Sequence, residues 1–315
     1  VTRVLFENKK AVGVEIVQEG RKQVLHAETE VILSAGAIQS PQILQLSGIG
    51  PGKLLKEHGI DVVVNRPGVG QNLQDHYQMR TVVQMRSRDS LNNQIRNPIS
   101  LLKMGLDWAF RGRGALTVGA GQVGGAMRTD FAPTDQPDLQ LFVMPLSVDK
   151  PGEPLHRYPG FTSAIWQCHP KSRGSIEIVT PDPTADPKIQ PNYLADELDQ
   201  KTMVEGIRIL RQIYNQPKFR DLWDAEIVPG EQVKTDADII DAIRKGGGTV
   251  YHPVGTCKMG IDAAAVVGPD LQVHGVTGLR VVDASIMPLI TSANTNAPTL
   301  MIAEKAAEMI LASGR

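Results

Sequence analysis

Two short apolar runs near opposite ends of the 315-residue chain restrict what it can fold into. The first, Glu30-Val31-Ile32-Leu33-Ser34-Ala35-Gly36, ends in small residues, the pattern of a buried parallel strand feeding a turn. The second, Leu279-Arg280-Val281-Val282-Asp283-Ala284-Ser285, is a short strand ending at an acidic residue. Each is followed by helix signals. Ser40-Pro41 offers a hydroxyl at N-cap and proline at N1, which predicts a short helix to about Ser47, stopped by Gly48. A second short helix over 51–58 ends at Gly59, and 60–64 returns as a strand. Near the C-terminus, 298–311 reads as an amphipathic helix with Pro298 in its first turn. Strand, turn and helix in this order are the makings of a nucleotide-binding α/β layer. Residues 1–76 and 249–315 therefore read as one discontinuous α/β unit, interrupted by 77–248.

The other segments have a different texture. Short runs at 4–6, 11–17 and 23–26, separated by Glu7-Asn8-Lys9 and Glu19-Gly20, predict a β-meander. Apolar residues at helical spacing over 99–110 end in Gly112-Arg113-Gly114. Alternation at Leu139, Leu141 and Val143, and again at Ile176 and Ile178, predicts an antiparallel sheet. Ser172-Arg173-Gly174 predicts a hairpin turn between strands 161–168 and 175–179. A long helix fits 196–214, with Val204, Ile207, Leu210, Ile213 and Tyr214 on one face. Thr235 and Asp238 form a capping-box start for a helix through Lys245, broken by Gly246-Gly247-Gly248.

Composition narrows the function classes. A net charge of −1 with no basic block argues against nucleic acid as a partner. Cys168 and Cys257, far apart and outside any CxxC pair, exclude a disulfide scaffold and a cysteine-rich zinc module. No apolar run approaches the roughly 18 to 20 residues of a transmembrane helix. The chain starts at Val1, already in strand-like sequence, so the expectation is that part of the fold lies upstream.

Several motifs carry little chemistry. Gly119-Ala120-Gly121-Gln122-Val123-Gly124 matches GxGxxG, but a phosphate loop needs a buried strand before it and a helix after it. Only the short run 115–118 precedes it, and Gly124-Gly125 makes a poor helix start, so the match reads as a decoy. There is no GxSxG elbow, and Asp283, Ser285 and His252 lack a nucleophile context. His252 and Cys257 have no partnering ligand cluster, so no metal is expected. His26, His58, His156, His169 and His274 read as surface or structural, and the role of His76 is open. Taken alone, His252 among apolar and glycine neighbours reads first as a structural histidine.

Longer patterns change that reading. The segment Gly36-Ala37-Ile38-Gln39-Ser40-Pro41-Gln42-Ile43-Leu44-Gln45-Leu46-Ser47-Gly48-Ile49-Gly50 is continued by Pro67-Gly68-Val69-Gly70-Gln71-Asn72-Leu73-Gln74-Asp75-His76. Together they resemble the second signature of the glucose–methanol–choline (GMC) flavin oxidoreductases. Tyr251-His252-Pro253-Val254-Gly255-Thr256-Cys257-Lys258-Met259-Gly260 is similar to the family's catalytic-histidine segment, and residues 281–285 and 291–299 resemble its closing motifs. The resemblance spans essentially the whole chain and is strongest at both ends.

This resemblance implies an α/β fold (α+β overall). Residues 1–76 and 249–315 would form the later part of an FAD-binding, Rossmann-like domain, and 77–248 a substrate domain with an antiparallel sheet and flanking helices. It implies FAD as cofactor and oxidation of an alcohol. His252 matches the base that takes the hydroxyl proton while hydride leaves for flavin N5, work that suits an imidazole of ordinary pKa about 6.5. Asn294 matches the second active-site position, where an amide can donate to the substrate oxygen but cannot be a base. Val1 matches a backbone contact to adenine, and Ala35 and Gly36 close the strand near the adenosine. Asp283 and Ala284 match positions near the ribityl chain and pyrophosphate, and Thr295 and Asn296 lie beside the isoalloxazine. Pro298 opens a helix whose N-terminal dipole favours the electron-rich end of a reduced flavin.

Two departures from the family pattern qualify this. The family's N-terminal strand–GxGxxG–helix and first signature are not in this sequence, so these residues alone are expected to bind FAD weakly or not at all. Gln122 stands where choline-type members carry an acid, and aromatics make up only 4% of the chain, leaving no evident ammonium cage. Both point to an uncharged primary alcohol as substrate, with electrons passing to a quinone or another carrier. The implied location is cytoplasmic or peripheral at the inner face of a membrane. The alternatives are an oxygen-using alcohol oxidase, a hydroxynitrile lyase-type member without net redox, or an inactive truncated fragment.

Overall fold

The computed structural model describes every residue except 88–89, 118, 120, 151 and 314–315. Helix and strand are mixed, 31% and 26%, in keeping with the expected fold class. The chain divides into two compact units. The first comprises Val1–His76, His169–Ala195 and Tyr251–Arg315; the second comprises Tyr77–Cys168 and Asp196–Val250.

In the first unit, strands Arg3–Glu7, Lys10–Gln18 and Arg21–His26 form the expected antiparallel meander. Its tight turns put Asn8, Lys9 and Glu19 at positive φ, where short polar residues and glycine are tolerated best. The two apolar runs from opposite ends of the chain then pair in parallel, Val31 opposite Leu279 and Leu33 opposite Val281. Val31, Leu33, Leu279 and Val281 are all buried, in one core with Val4, Leu44, Ile49 and Val267. The arginine between the strand's apolar residues is also buried: Arg280 donates to Glu30 at 2.8 Å and to the Asp270 carbonyl at 2.5 Å, so its charge is paired rather than stranded.

Segment 169–195 joins this unit, whereas the sequence pattern predicts an unbroken middle region from 77 to 248. A buried amide contributes, beside backbone bonds between Leu73 and Gly174 and from the Ile176 N–H to the Gly70 carbonyl. Gln45 is fully buried, and its side chain donates to the Ile176 carbonyl and accepts from the Ile178 N–H, both at 2.9 Å. A buried amide left unpaired is costly, so these bonds bind the segment here. The hairpin expected at Ser172-Arg173-Gly174 is therefore corrected. Ser175–Glu177 pairs with Lys188–Gln190, while Gly160–Gln167 pairs with other strands.

The second unit is built on a six-stranded antiparallel sheet. Its path runs Trp223–Val228, Tyr77–Met85, Gly160–Gln167, Leu139–Met144, Val123–Met127, with Gly248–Thr249 added to the Tyr77–Met85 strand. Helix Glu197–Tyr214 packs on it, capped by the Asp196 side chain and burying Met203, Val204, Ile207 and Leu210. Gly206 permits the close approach, since a Cβ there would lie 2.7 Å from Ile165 Cδ1. Ile213, expected on the buried face, is 40% exposed because the helix turns it away. The Thr235/Asp238 capping box is present and opens helix Asp236–Gly246. After Gly121-Gln122 the chain enters strand Val123–Met127 rather than a helix, as a decoy motif requires; Val118 and Ala120 lie outside the described residues.

Helix Gly36–Leu46 begins five residues earlier than Ser40-Pro41 predicts, and Pro41 sits inside it. Ser40 does not cap; its hydroxyl accepts from the Ala35 N–H and donates to Asp283. Pro41 has no N–H for the Ala37 carbonyl one turn back. The fully buried Thr256 hydroxyl takes that place, donating to Ala37 O at 2.6 Å. Thr256→Val should therefore strand a buried carbonyl and lower stability by about 1–3 kcal/mol in denaturant melts, while Thr256→Ser stays near the parent.

Candidate active site

The local chain around residue 252 is arranged to aim an imidazole. Tyr251 holds φ +62, an uncommon conformation for a bulky residue, and itself stays in solvent. His252, the next residue, is buried at 7% exposure, with its backbone N–H donating to Asp75 Oδ1 at 2.9 Å. The other oxygen of Asp75 accepts from the Tyr193 hydroxyl at 2.5 Å. Both ring nitrogens of His252 are engaged. Nδ1 lies 2.9 Å from Nδ1 of the fully buried His76, and the rings meet edge to face at 5.2 Å and 85°. Nε2 lies 3.1 Å from the Asn294 amide nitrogen. Asn294 is exposed, so the Nε2 side of His252 is the side that faces a ligand.

Burial pushes the His252 pKa below its ordinary value of 6.5, and the Asp75 carboxylate opposes part of that shift. The imidazole is therefore neutral, and able to accept a proton, throughout the neutral range. Cys257 is no competing nucleophile. Burial first, then the charge of Asp283, pushes its thiol far above the usual range.

A second cluster gathers where the parallel strands end. Asp283, 6% exposed, accepts from the Gly36 N–H at 2.9 Å and the Ser40 hydroxyl at 2.5 Å through Oδ2, and from the Ser285 N–H at 2.8 Å through Oδ1. A carboxylate has about four acceptor sites, so most of this one is taken up by the protein and little is left for a ligand. Gly36 holds φ +81, and a Cβ there would meet nothing within 4 Å. Together with exposed Ala35, it leaves bare backbone beside open space, which leaves room for the close approach of a nucleotide. The C-terminal helix starts at Asn296, with the Thr295 carbonyl accepting from Thr299; Pro298 lies inside its first turn rather than opening it. Thr295 is buried, Asn296 is exposed and Ala284 is half-buried.

The structure thus brings His252 together with Asn294, and Gly36 and Ala35 together with Asp283. Val1, two residues before the first strand, is 60% exposed and takes part in none of the described hydrogen bonds that gather the others. Asp75 and Tyr193 were not singled out from the sequence. Asp75 could have been noticed as the acid before His76 at the end of the second signature pattern; Tyr193 leaves no local signal. Among the described residues no cluster of three metal-type ligands forms, and no helix is long and apolar enough to cross a membrane.

GMC oxidoreductase family models match residues 1–78 and 170–303, which together take in His76, His252, Asn294 and Asp283. The chain belongs to the GMC oxidoreductase family. It is 44% identical, over 98% of its length, to an alcohol dehydrogenase (acceptor) of Pseudomonas putida, of which it covers 56%. It is 42% identical to the oxygen-dependent choline dehydrogenase of Cronobacter sakazakii, covering 98% of this chain and 55% of that one. A variant of formate oxidase from Aspergillus oryzae RIB40, studied for FAD modification, superposes with TM-score 0.91 at 28% identity, covering 99% of this chain and 59% of the other. The chain spans about half the length of the curated relatives it matches. The family and its solved neighbours are FAD-binding flavoproteins.

The electrostatics of His252 give a pH expectation. Its ring protons should titrate by NMR with a midpoint below 6.5, and Asp75→Asn, which removes the attracting carboxylate but keeps its acceptor, should move that midpoint further down. A midpoint that rises in the variant would contradict the assignment of Asp75.

Proposed function

We propose that this chain carries the proton-accepting centre of an FAD-dependent alcohol dehydrogenase. The observation that carries the reading is a buried, neutral His252 whose Nε2 faces the Asn294 amide while Asp75 holds its backbone. An alcohol hydroxyl entering beside Nε2 meets an acceptor for its proton and an N–H donor for its oxygen. His252 takes the hydroxyl proton at Nε2; Asn294 donates to the developing alkoxide and orients it. When bound, FAD supplies the two-electron acceptor of the oxidation. Backbone at Ala35, Gly36 and Ala284 would hold its nucleotide portion, and Thr295, Asn296 and the first turn of the C-terminal helix with Pro298 its flavin end. Asp283 supports this by ordering the Gly36 and Ser285 amides. Val1 belongs to the proposed adenine end by resemblance alone. In this reading the first unit serves the cofactor and the second unit serves the substrate.

The relative named alcohol dehydrogenase (acceptor) supports oxidation of a primary alcohol to an aldehyde, with electrons passed to a quinone or other carrier. The setting we propose is the cytoplasm or the inner face of a membrane. Relatives named choline dehydrogenase favour a cationic alcohol instead, but Gln122 offers no charge to pair with a trimethylammonium.

Dye reduction by the FAD-loaded enzyme separates these readings. An uncharged primary alcohol should be turned over at lower KM than choline, and a preference for choline would reverse the substrate assignment. His252→Ala should lower kcat/KM by about 10²–10⁴-fold at unchanged flavin content, and parental turnover in that variant would remove His252 as the base.

A further inference from the structure

We propose that His76 is a positioning residue that, together with Asn294 on the far side of the ring, holds His252 in one tautomer by accepting a hydrogen bond from His252 Nδ1–H. The two Nδ1 atoms are 2.9 Å apart. A bond between two imidazole nitrogens holds one proton, so one ring donates and the other accepts. The amide nitrogen on the far side decides which. Asn294 Nδ2 can only donate, and it lies 3.1 Å from His252 Nε2, so Nε2 presents its lone pair and the proton of neutral His252 sits on Nδ1. His76 Nδ1 is then the acceptor, and its own proton is on Nε2.

Burial strengthens the case. His76 is fully buried and His252 nearly so, and two imidazolium rings in this contact would repel strongly in a dry site. The pair therefore holds at most one extra proton. The carboxylate beside it, Asp75, takes the His252 backbone N–H with one oxygen and the Tyr193 hydroxyl with the other. Resting on the proposed function, the consequence is direct. The substrate hydroxyl proton goes to His252 Nε2, the ring becomes cationic, and its Nδ1–H bond to His76 becomes charge-assisted and shorter. His76 thereby keeps Nε2 unprotonated before the reaction and stabilises the imidazolium after it.

The test is nitrogen NMR of the protein labelled with ¹⁵N in its histidine rings. His252 is expected to show a protonated, pyrrole-type Nδ1 and a bare, pyridine-type Nε2, His76 the reverse, with a scalar coupling across the hydrogen bond between the two Nδ1 atoms. A pyridine-type Nδ1 on His252 overturns the proposal. His76→Phe removes the acceptor and leaves only the solvent-exposed Asn294 to bias the ring, so His252 should become a mixture of tautomers, whereas His76→Asn, with a carbonyl oxygen near the lost Nδ1, should restore the single form. In the FAD-loaded enzyme, His76→Phe should lower kcat by about 10–100-fold with KM little changed, and His76→Asn should recover most of it. A single Nδ1–H tautomer persisting in His76→Phe overturns the proposal. If the tautomers are as stated but His252→Ala turns over alcohol normally, the base assignment fails and the His76 hydrogen bond stands.

Discussion

The buried carboxylate of Asp283 ties the beginning of the chain to its end. It sits where strand Leu279–Val281 stops, and its oxygens take the N–H of Gly36, the hydroxyl of Ser40 and the N–H of Ser285. Those bonds order the turn after strand Val31–Leu33, start the helix Gly36–Leu46 and hold Gly36 in its left-handed conformation. A helix that starts there places Pro41 in its interior, and the carbonyl that Pro41 orphans is met by Thr256, four residues after His252. One buried charge thus connects the nucleotide-type turn to the segment that carries the histidine. Charge-assisted bonds to a buried carboxylate are among the stronger interactions available for such a task.

A second carboxylate repeats the device. Asp75 fixes the backbone of His252 with one oxygen and engages Tyr193 with the other. It acts on the position of His252 through the peptide N–H, and on its proton affinity through charge, against the larger effect of burial. Placement and basicity of the proposed base are therefore set by different groups: the carboxylate and the His76 contact aim the ring, and desolvation keeps it neutral. The exposed Asn294 is the only partner of the ring among these that a substrate could readily reach.

What was legible in the sequence was what is decided locally. The Thr235/Asp238 capping box, the meander turns and the periodicity of Glu197–Tyr214 involve neighbours within a few residues, and each matches the structure, apart from Ile213 near the helix end, which turns outward. Ser40-Pro41 misled because Ser40 bonds to Asp283, whose side chain comes from the far end of the chain. Ser172-Arg173-Gly174 misled for a similar reason, since Gln45 and the backbone of Gly70 and Leu73, all distant in sequence, bond to Gly174 and the strand that follows it. The site divides the same way. Residue types and spacing alone made His252 a structural histidine; only the longer resemblance singled it out with Asn294, and Asp75 and Tyr193 join it through contacts that no local pattern encodes.

The central claim, that this fold presents a base for alcohol oxidation, is tested most directly by the flavin itself. The FAD-loaded enzyme is mixed without oxygen with a primary alcohol and with the same alcohol deuterated at its carbinol carbon. The flavin absorbance should bleach in both cases and severalfold more slowly with the deuterated alcohol. Flavin that stays oxidised with every alcohol, while a cyanohydrin is split to aldehyde and cyanide, would contradict the claim.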